Sequence, residues 1–423
     1  MADHRHQDHH HDDGPVRKGN FIITGLTSGH GVFHWFIQSF FVLLPEVEQT
    51  FSLTKVQVGS IATTRELVSG IVTLPGGILA DHFKKHWGLI LALCMGLFGV
   101  GWFVVASAGS NHNLFFLVLV GTAIVASAAS MWHLPAMASL SHHFAHRKGT
   151  ALSFHGIGGN IGDAVSPIVT GFLLGLGYLT WQGILSIYAA APILIAFLVY
   201  WAFKNIGNTA SEKDEIEDVN NAETRFQQTI GILKNPKVLL ITLAGGIRGM
   251  AFIGFITFLP SYLTDLDYSE LERGLHFGLL VAVGIIATPF MGYISDKIGR
   301  KPVLVPGMLF LAAVILLLVW FGEGLSLILL LALLGTFFYS DQPILTAAAL
   351  DIVGTGVATT TLGSLSFVRF ILSAASPIIA GFLYENYSMD HVFFYISALM
   401  LTSAIILLII PLKPSEHPPS HSH

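Results

Sequence analysis

Six charged side chains lie inside long apolar runs of the sequence, where charge is rare. They are three arginines and three carboxylates: Arg65, Glu66, Asp163, Arg248, Asp341 and Arg369. A charge at the centre of a membrane-spanning segment costs about 2.5 to 3.5 kcal/mol on insertion scales, so each is expected to be paired, hydrated or functional. Structural pairing is one interpretation. In the other, an arginine exchanges its carboxylate partner for a substrate anion, and the released carboxylate takes up a proton.

The sequence limits how these charges pair. Arg65 and Glu66 are neighbours, so on a helix they point about 100 degrees apart, and each is predicted to need a partner on another helix. We assign Arg65 to a central cavity and Glu66 to the packed interior, with the reverse assignment left open. Asp163 lies about fifteen residues inside its helix, roughly 22 Å along the axis. It is our first choice for a proton carrier, and its partner is not readable from the sequence.

Histidines mark one face of the first apolar run. His30, His34 and Gln38 are spaced four apart, and His133 and His155 lie in later runs. A spacing of four places side chains on one helical face. Imidazoles can relay protons near neutral pH, and hydrogen bonding between helices is the structural alternative. The spacing also permits metal ligation by His30 and His34, but no third ligand is apparent and we predict no metal site here.

Two sets of candidate residues follow from these observations. The proton-coupling set consists of Glu66, Asp163 and His155. The substrate-binding set combines polar and aromatic side chains: His30, His34, Trp35, Gln38, Arg65, Trp132, His133, Arg248, Tyr339, Asp341 and Arg369. The aromatic members, together with Phe36, would provide apolar contact around a ligand.

The elements that must position these residues are membrane helices. Of 423 residues, 53% are apolar and only 11% are charged, against about 25% charged in a soluble domain. Isolated strands are excluded because their edges cannot be satisfied in hydrocarbon. The sequence therefore predicts an all-α membrane protein with six plus six helices. The apolar windows are 20–44, 57–80, 87–108, 114–138, 149–177, 182–203, 238–263, 271–295, 302–321, 325–349, 359–385 and 391–411.

The charge distribution predicts orientation and excludes several classes of function. Sixteen Lys and Arg residues fall on one side of these windows and only Lys55 and Arg273 on the other, which places both termini in the cytoplasm. A net charge of −5 gives no basic field for nucleic acid. Cys94 is the single cysteine, so an intramolecular disulfide is impossible. No nucleotide-binding loop of the G-x-x-x-x-G-K-S/T type is present, so direct ATP coupling has no support.

The two halves repeat each other. The segment from Gly77 to Lys85 recurs as the segment from Gly292 to Lys301, and Ser166-Pro167-Ile168 recurs as Ser376-Pro377-Ile378. Since each half has an even number of spans, both enter the membrane from the same side, and the repeat axis runs along the membrane normal. Two pseudo-symmetric six-helix bundles are therefore predicted.

Over essentially its whole length the sequence resembles the major facilitator superfamily of secondary transporters. GYISDKIGRKP is a near-complete copy of that family's cytoplasmic loop motif, whereas the first copy is degraded, with His82 and Lys84 at altered positions. The segment 153–167, preceded by Arg147-Lys148-Gly149, resembles the fosmidomycin-resistance type of efflux carrier. A Gly-rich bending fifth span common to many antiporters is the alternative. The resemblance implies alternating access, lipid-facing helices 3, 6, 9 and 12, and a cytoplasmic gate built from Asp81, Lys85, Asp296, Arg300 and Lys301.

The sequence thus predicts a proton-coupled efflux carrier for a small organic, anionic or drug-like compound. We expect no enzyme activity and no cofactor. The expected partners are protons, the substrate and the lipid bilayer of a bacterial inner membrane, and the carrier is expected to be a monomer. The alternatives are a divalent metal-ion exporter that uses the His-rich tails as collectors and a non-transporting membrane sensor. The predicted parts are a tail 1–18, a bundle 19–204, a linker 205–237, a bundle 238–412 and a tail 413–423.

Overall fold

The computed structural model describes residues 19–208, 235–353 and 358–411, and these residues form helices and short connections with no strand among them. The first half contains α1 Gly19–Phe51, α2 Lys55–His82, α3 Trp87–Ser107, α4 Phe115–His143, α5 Lys148–Gly175 and α6 Trp181–Phe203. The second half contains α7 Pro236–Asp265, α8 Glu270–Ile298, α9 Arg300–Phe321, α10 Gly324–Phe338, α11 Asp341–Val353, α12 Ala358–Ala374, α13 Ser376–Asn386 and α14 Met389–Ile409. The predicted tails, most of the linker and the Asp81 side chain lie outside the described part.

Local sequence explains where several of these helices begin. Thr54 and Gln57 form a capping box at the start of α2, and Ser269 and Glu272 form one at the start of α8. In each box the two side chains satisfy backbone N–H groups that the first helical turn leaves without partners. Because α2 and α8 are the second helices of their halves, the repeat seen in the sequence extends to the caps.

Ten helical segments of the described residues are long and apolar enough to cross a membrane. Two of the ten are the combined stretches α10–α11 and α12–α13. The remaining two predicted spans are α1 and α2. They have 33 and 28 residues, which is long enough to cross a membrane. They are not among the ten because the polar and charged side chains of the candidate site make them less apolar. Together the segments form the twelve-span, all-α membrane fold predicted from the sequence.

The helices pack as two bundles with matching contacts. In the first half α1 packs on α5, and α3 packs on α4 and α6; in the second half α7 packs on α12, and α9 packs on α10 and α14. The halves meet where α2 contacts α12 and α13 and where α5 contacts α8. Large apolar side chains of α6 point outward, for example Leu194, Phe197 and Leu198, as expected for a helix that faces lipid. The pseudo-symmetric pair of bundles is confirmed.

Two glycines bring α5 into backbone contact with α1. A Cβ atom on Gly158 would lie 2.1 Å from the Thr27 carbonyl oxygen, and one on Gly162 would lie 2.5 Å from that of Gly31. Only glycine permits this approach, which is the small-residue packing typical of membrane helices. The contact places His30 and His34 of α1 directly against His155 and Asp163 of α5.

Candidate functional site

Arg65 and Glu66 of α2 pair with each other, contrary to the prediction that each needs a partner on another helix. Arg65 Nη2 donates to Glu66 Oε1 at 2.8 Å, and Arg65 Nε donates to the same oxygen at 3.3 Å. The prediction considered only the directions of the Cα–Cβ bonds, and the long, flexible arginine side chain curls back far enough to reach its neighbour. Glu66 is buried, whereas the Arg65 side chain is 23% exposed and lies over the Phe41 ring.

Arg369 on α12 faces this pair from the other bundle. Its guanidinium lies near Glu66, Arg65 and Arg248, and its stem packs against Gly249 of α7. It stacks on the ring of the neighbouring Phe370 with 4.3 Å to the ring centroid. Within the described residues Arg369 has no carboxylate partner of its own. Arg65, Arg369 and Glu66 therefore form a group with a net charge of +1.

Arg248 of α7 and Asp341 of α11 form a closed ion pair. Arg248 Nε donates to Asp341 Oδ2 at 2.6 Å, Arg248 also donates to the Phe338 carbonyl oxygen, and both side chains are almost completely buried. The guanidinium lies over the Phe252 ring at 4.6 Å from its centroid. With its donors directed at protein acceptors and an aromatic face covering it, this arginine is held as part of the structure in this conformation.

Four histidines and Asp163 form a cluster inside the first bundle. His34 Nδ1 donates to Asp163 Oδ2 at 2.9 Å, which identifies the partner that the sequence left open. His30 is bonded to the His155 carbonyl oxygen and to His133, and the His155 ring stacks on the His30 ring with 4.0 Å between centroids. The sequence placed these residues on three separate helices and did not show that they meet.

The aromatic and amide candidates occupy different environments. Trp132 is fully buried and packs against Phe33 with 5.0 Å between ring centroids, so it is a packing residue in this conformation. Trp35 is partly buried on α1. Tyr339, at the break between α10 and α11, lies near Gln38 and Asp163 of the first bundle, which makes Tyr339 and Gln38 neighbours across the two halves.

Two predicted gating residues of the second half, Arg300 and Lys301, make contacts within that half. Arg300 donates to Asp296 and, at 3.1 Å, to Asp351, and Lys301 donates to the carbonyl oxygens of Leu408 and Ile410. Lys85 is exposed at the end of the first half. A gating role for these residues stays a prediction.

On the opposite face, polar contacts join the two bundles. The residues that make them are not among those predicted from the sequence to form the site. Arg273 of α8 donates to Glu46 of α1, and Ser261 of α7 donates to Glu48 at 3.0 Å. Lys55 of α2 bonds Glu48 at 2.7 Å. Because the topology predicted from the sequence places this face outside the cell, we name the Glu46–Arg273 and Glu48–Ser261 contacts the outer latch. One clue was available, because Lys55 and Arg273 are the only basic residues predicted on that face.

The architecture is that of a multi-pass membrane transporter, and comparison with known proteins gives the family. The model of the Major Facilitator Superfamily matches residues 26–377 and 274–423. The chain belongs to the major facilitator superfamily and is a transporter, not an enzyme.

Individual relatives cover most of the chain. The fosmidomycin resistance protein of Escherichia coli (strain K12) is 27% identical over 290 residues, which cover 67% of this chain and 68% of that protein. The glycerol-3-phosphate transporter of Bacillus subtilis (strain 168) is 23% identical over 419 residues, covering 92% and 90%. The solved structure of a D-xylose-proton symporter superposes with a TM-score of 0.75 at 14% identity, over 94% of this chain and 98% of that one. That structural likeness confirms the fold.

Proposed function

We propose that this chain is a secondary transporter that carries a small organic anion by alternating access and couples its movement to protons through Glu66. The observation that carries the proposal is the group of Arg65, Glu66 and Arg369. Two guanidinium groups from different bundles lie near one buried carboxylate, and Asp163, the other carboxylate of this region, is bonded to His34, so the Arg369 guanidinium is available for an anionic ligand. The similarity to a protein named as a glycerol-3-phosphate transporter supports an anionic substrate.

The chemistry of the exchange follows from the contacts. A carboxylate, phosphate or phosphonate would be bound in bidentate fashion by guanidinium donors that Glu66 now occupies. Glu66 would then lose the hydrogen bonds that stabilise its ionised form, and a buried carboxylate without them takes up a proton. Phe41 and Phe370, which cover the two arginines, would contact the apolar part of the ligand.

Alternating access is supported by the asymmetry of the two faces. The outer latch joins the bundles on one face, whereas Arg300 and Lys301 on the other face bind groups of their own half. This is the arrangement expected for a carrier closed to the outside. A proton that moves inward alone through 100 mV supplies about 2.3 kcal/mol. When a monovalent anion crosses with it the two charges cancel, and the pH gradient supplies the driving force.

The exchange at Glu66 also bears on the direction of transport. If the anion and the proton bind in the same step, they cross together, and an acidic outside drives the anion inward. Efflux driven by protons, the direction predicted from the sequence, would instead require that Glu66 be protonated only when the anion is absent. The sign of the pH effect therefore separates the two directions.

The test is flux in proteoliposomes. Anionic, cationic and neutral solutes of similar size are offered with an imposed pH gradient, and Arg369→Gln and Arg65→Gln are compared with the parent and with the exposed control Arg147→Gln. We expect anion flux that both site variants reduce at least tenfold and the control leaves unchanged. Movement of cations with no effect of either site variant would contradict the proposal.

A further inference from the structure

Three histidines of the first bundle bring ring nitrogens together in the pattern of a metal site. One ring nitrogen from each of His30, His34 and His133 lies within 4.8 Å of the others. His30 Nε2 and His133 Nε2 are only 3.0 Å apart. Two of the ligands come from adjacent turns of α1 and the third from α4. This third ligand is the one that the sequence did not reveal.

The hydrogen bonds fix where the protons lie in this cluster. His30 Nδ1 is 2.7 Å from the His155 carbonyl oxygen, and His133 Nδ1 is 2.6 Å from the Ala129 carbonyl oxygen. A carbonyl oxygen can only accept, so each Nδ1 carries the hydrogen. In a neutral imidazole the other nitrogen is then a lone pair. Two lone pairs would then face each other at 3.0 Å, and either a proton shared by the two rings or a bound metal ion removes their repulsion.

The surroundings of the three rings match those of metal-binding histidines. In metal sites the ligating histidine usually donates its other ring N–H to a carboxylate or a backbone carbonyl, which fixes the ring and raises its basicity. All three histidines here do so, since His34 Nδ1 donates to Asp163 Oδ2 at 2.9 Å. His34 thus keeps its Nε2 lone pair for a ligand bond.

We propose that His30, His34 and His133 bind one divalent transition-metal ion of the class that prefers imidazole nitrogen, with Asp163 orienting His34. In tetrahedral geometry with metal–nitrogen distances of 2.0 to 2.1 Å, ligand nitrogens are about 3.3 Å apart. The His30–His133 pair is already close to that separation, and the His34 nitrogen, which lies within 4.8 Å of both, would move closer when the ion binds.

The site is open on one side. The His34 side chain is 31% exposed, so an ion can enter and a fourth ligand can bind. All three histidines belong to the first bundle, so the site is complete without residues of the second.

Zinc binding to the purified full-length chain tests the inference. The tail histidines compete for metal, so the parent for this experiment carries serine at each of them: His4, His6, His9, His10, His11, His417, His421 and His423. Titration calorimetry with Zn²⁺ should then give one saturable site per chain. His30→Gln, His34→Gln and His133→Gln should each weaken binding at least tenfold, and Asp163→Asn should weaken it 10- to 100-fold.

His276→Gln is the matched control. His276 is also buried in a helix and its Nδ1 also bonds the carbonyl oxygen four residues earlier, that of Glu272, but it lies in the other half of the chain. Its replacement should leave zinc binding unchanged.

A second measurement keeps the test decisive if a variant does not fold. X-ray absorption of the zinc-loaded parent should show three imidazole nitrogens at about 2.0 to 2.1 Å. The inference is overturned by an absence of saturable binding, which would mean that a shared proton bridges His30 and His133. It is also overturned by oxygen-only coordination, or by binding that survives all three histidine substitutions.

Discussion

Removal of Arg273 should open the outer latch. Its side chain is 3% exposed, and it donates to Glu46 across the seam between the bundles. Its bond to Thr264, at 2.8 Å, stays within the second half. Arg273→Ala therefore removes a cross-bundle contact and leaves the helices otherwise intact.

The size of the effect follows from the kind of bond lost. A hydrogen bond to a charged group contributes about 1.5 to 3 kcal/mol, so we take about 2 kcal/mol for this contact. Since 1.4 kcal/mol is a factor of ten in an equilibrium constant, the ratio of outward-open to closed molecules should rise roughly 30-fold. If about 1% of the parent molecules are open to the outside, this change opens about a fifth of the Arg273→Ala molecules.

Cysteine labelling can measure this shift because the chain has only one cysteine. Cys94 is buried in α3, and Cys94→Ser provides a cysteine-free parent. Phe41 lies beneath the latch, where it is buried against Phe277 of the other bundle with 6.3 Å between ring centroids. Phe41→Cys then reports access from outside to a membrane-impermeant maleimide.

We expect Arg273→Ala and Glu46→Gln each to accelerate labelling at least fivefold, and the double variant to add little to either. Glu272→Gln, which alters the neighbouring residue but only a cap within α8, should have no effect. Equal labelling in the parent and in both latch variants would refute the assignment of an outer latch.

Two further predictions concern stability, measured by thermal unfolding in detergent. Asp341→Asn leaves the buried Arg248 charge uncompensated and should lower the free energy of unfolding by about 3 to 5 kcal/mol. The double variant Arg248→Met with Asp341→Leu should recover most of that loss. An Asp341→Asn variant as stable as the parent would contradict the pairing of Arg248 with Asp341. Gly158→Ala places a methyl group 2.1 Å from the Thr27 carbonyl oxygen and should lower the free energy of unfolding by about 1 to 3 kcal/mol. Gly156→Ala, whose methyl group would have nothing within 4 Å, should be nearly neutral. Equal effects of the two substitutions would argue against close packing of α1 on α5.

The fold was predictable from the sequence because apolar length and the repeat between halves are local properties of the chain. Even there, α1 and α2 are the least apolar spans, since they carry Arg65, Glu66 and the first histidines. Those polar residues are hidden from lipid by neighbouring helices, and hydropathy alone does not report such shielding.

The pairing of the charges was much less predictable. Arg248 and Asp341 are 93 residues apart, and nothing in the chain indicates which carboxylate each arginine meets. Arg65 and Glu66 were expected not to pair because their Cα–Cβ bonds diverge, yet side-chain length overcomes that divergence. His133 joins His30 and His34 because α4 packs against α1, where Gly29 leaves room for the Trp132 ring, and this is a tertiary effect.

In the proposed mechanism an anion replaces Glu66 at Arg65, beside Arg369, and Glu66 then takes up a proton. The most direct measurement is calorimetry of anion binding in buffers of different ionisation enthalpy, with an organic phosphate such as glycerol 3-phosphate as the probe. The mechanism predicts net proton uptake on binding by the parent protein and none by Glu66→Gln, which should still bind the anion. Binding without proton uptake in the parent, or equal uptake in both proteins, would contradict it.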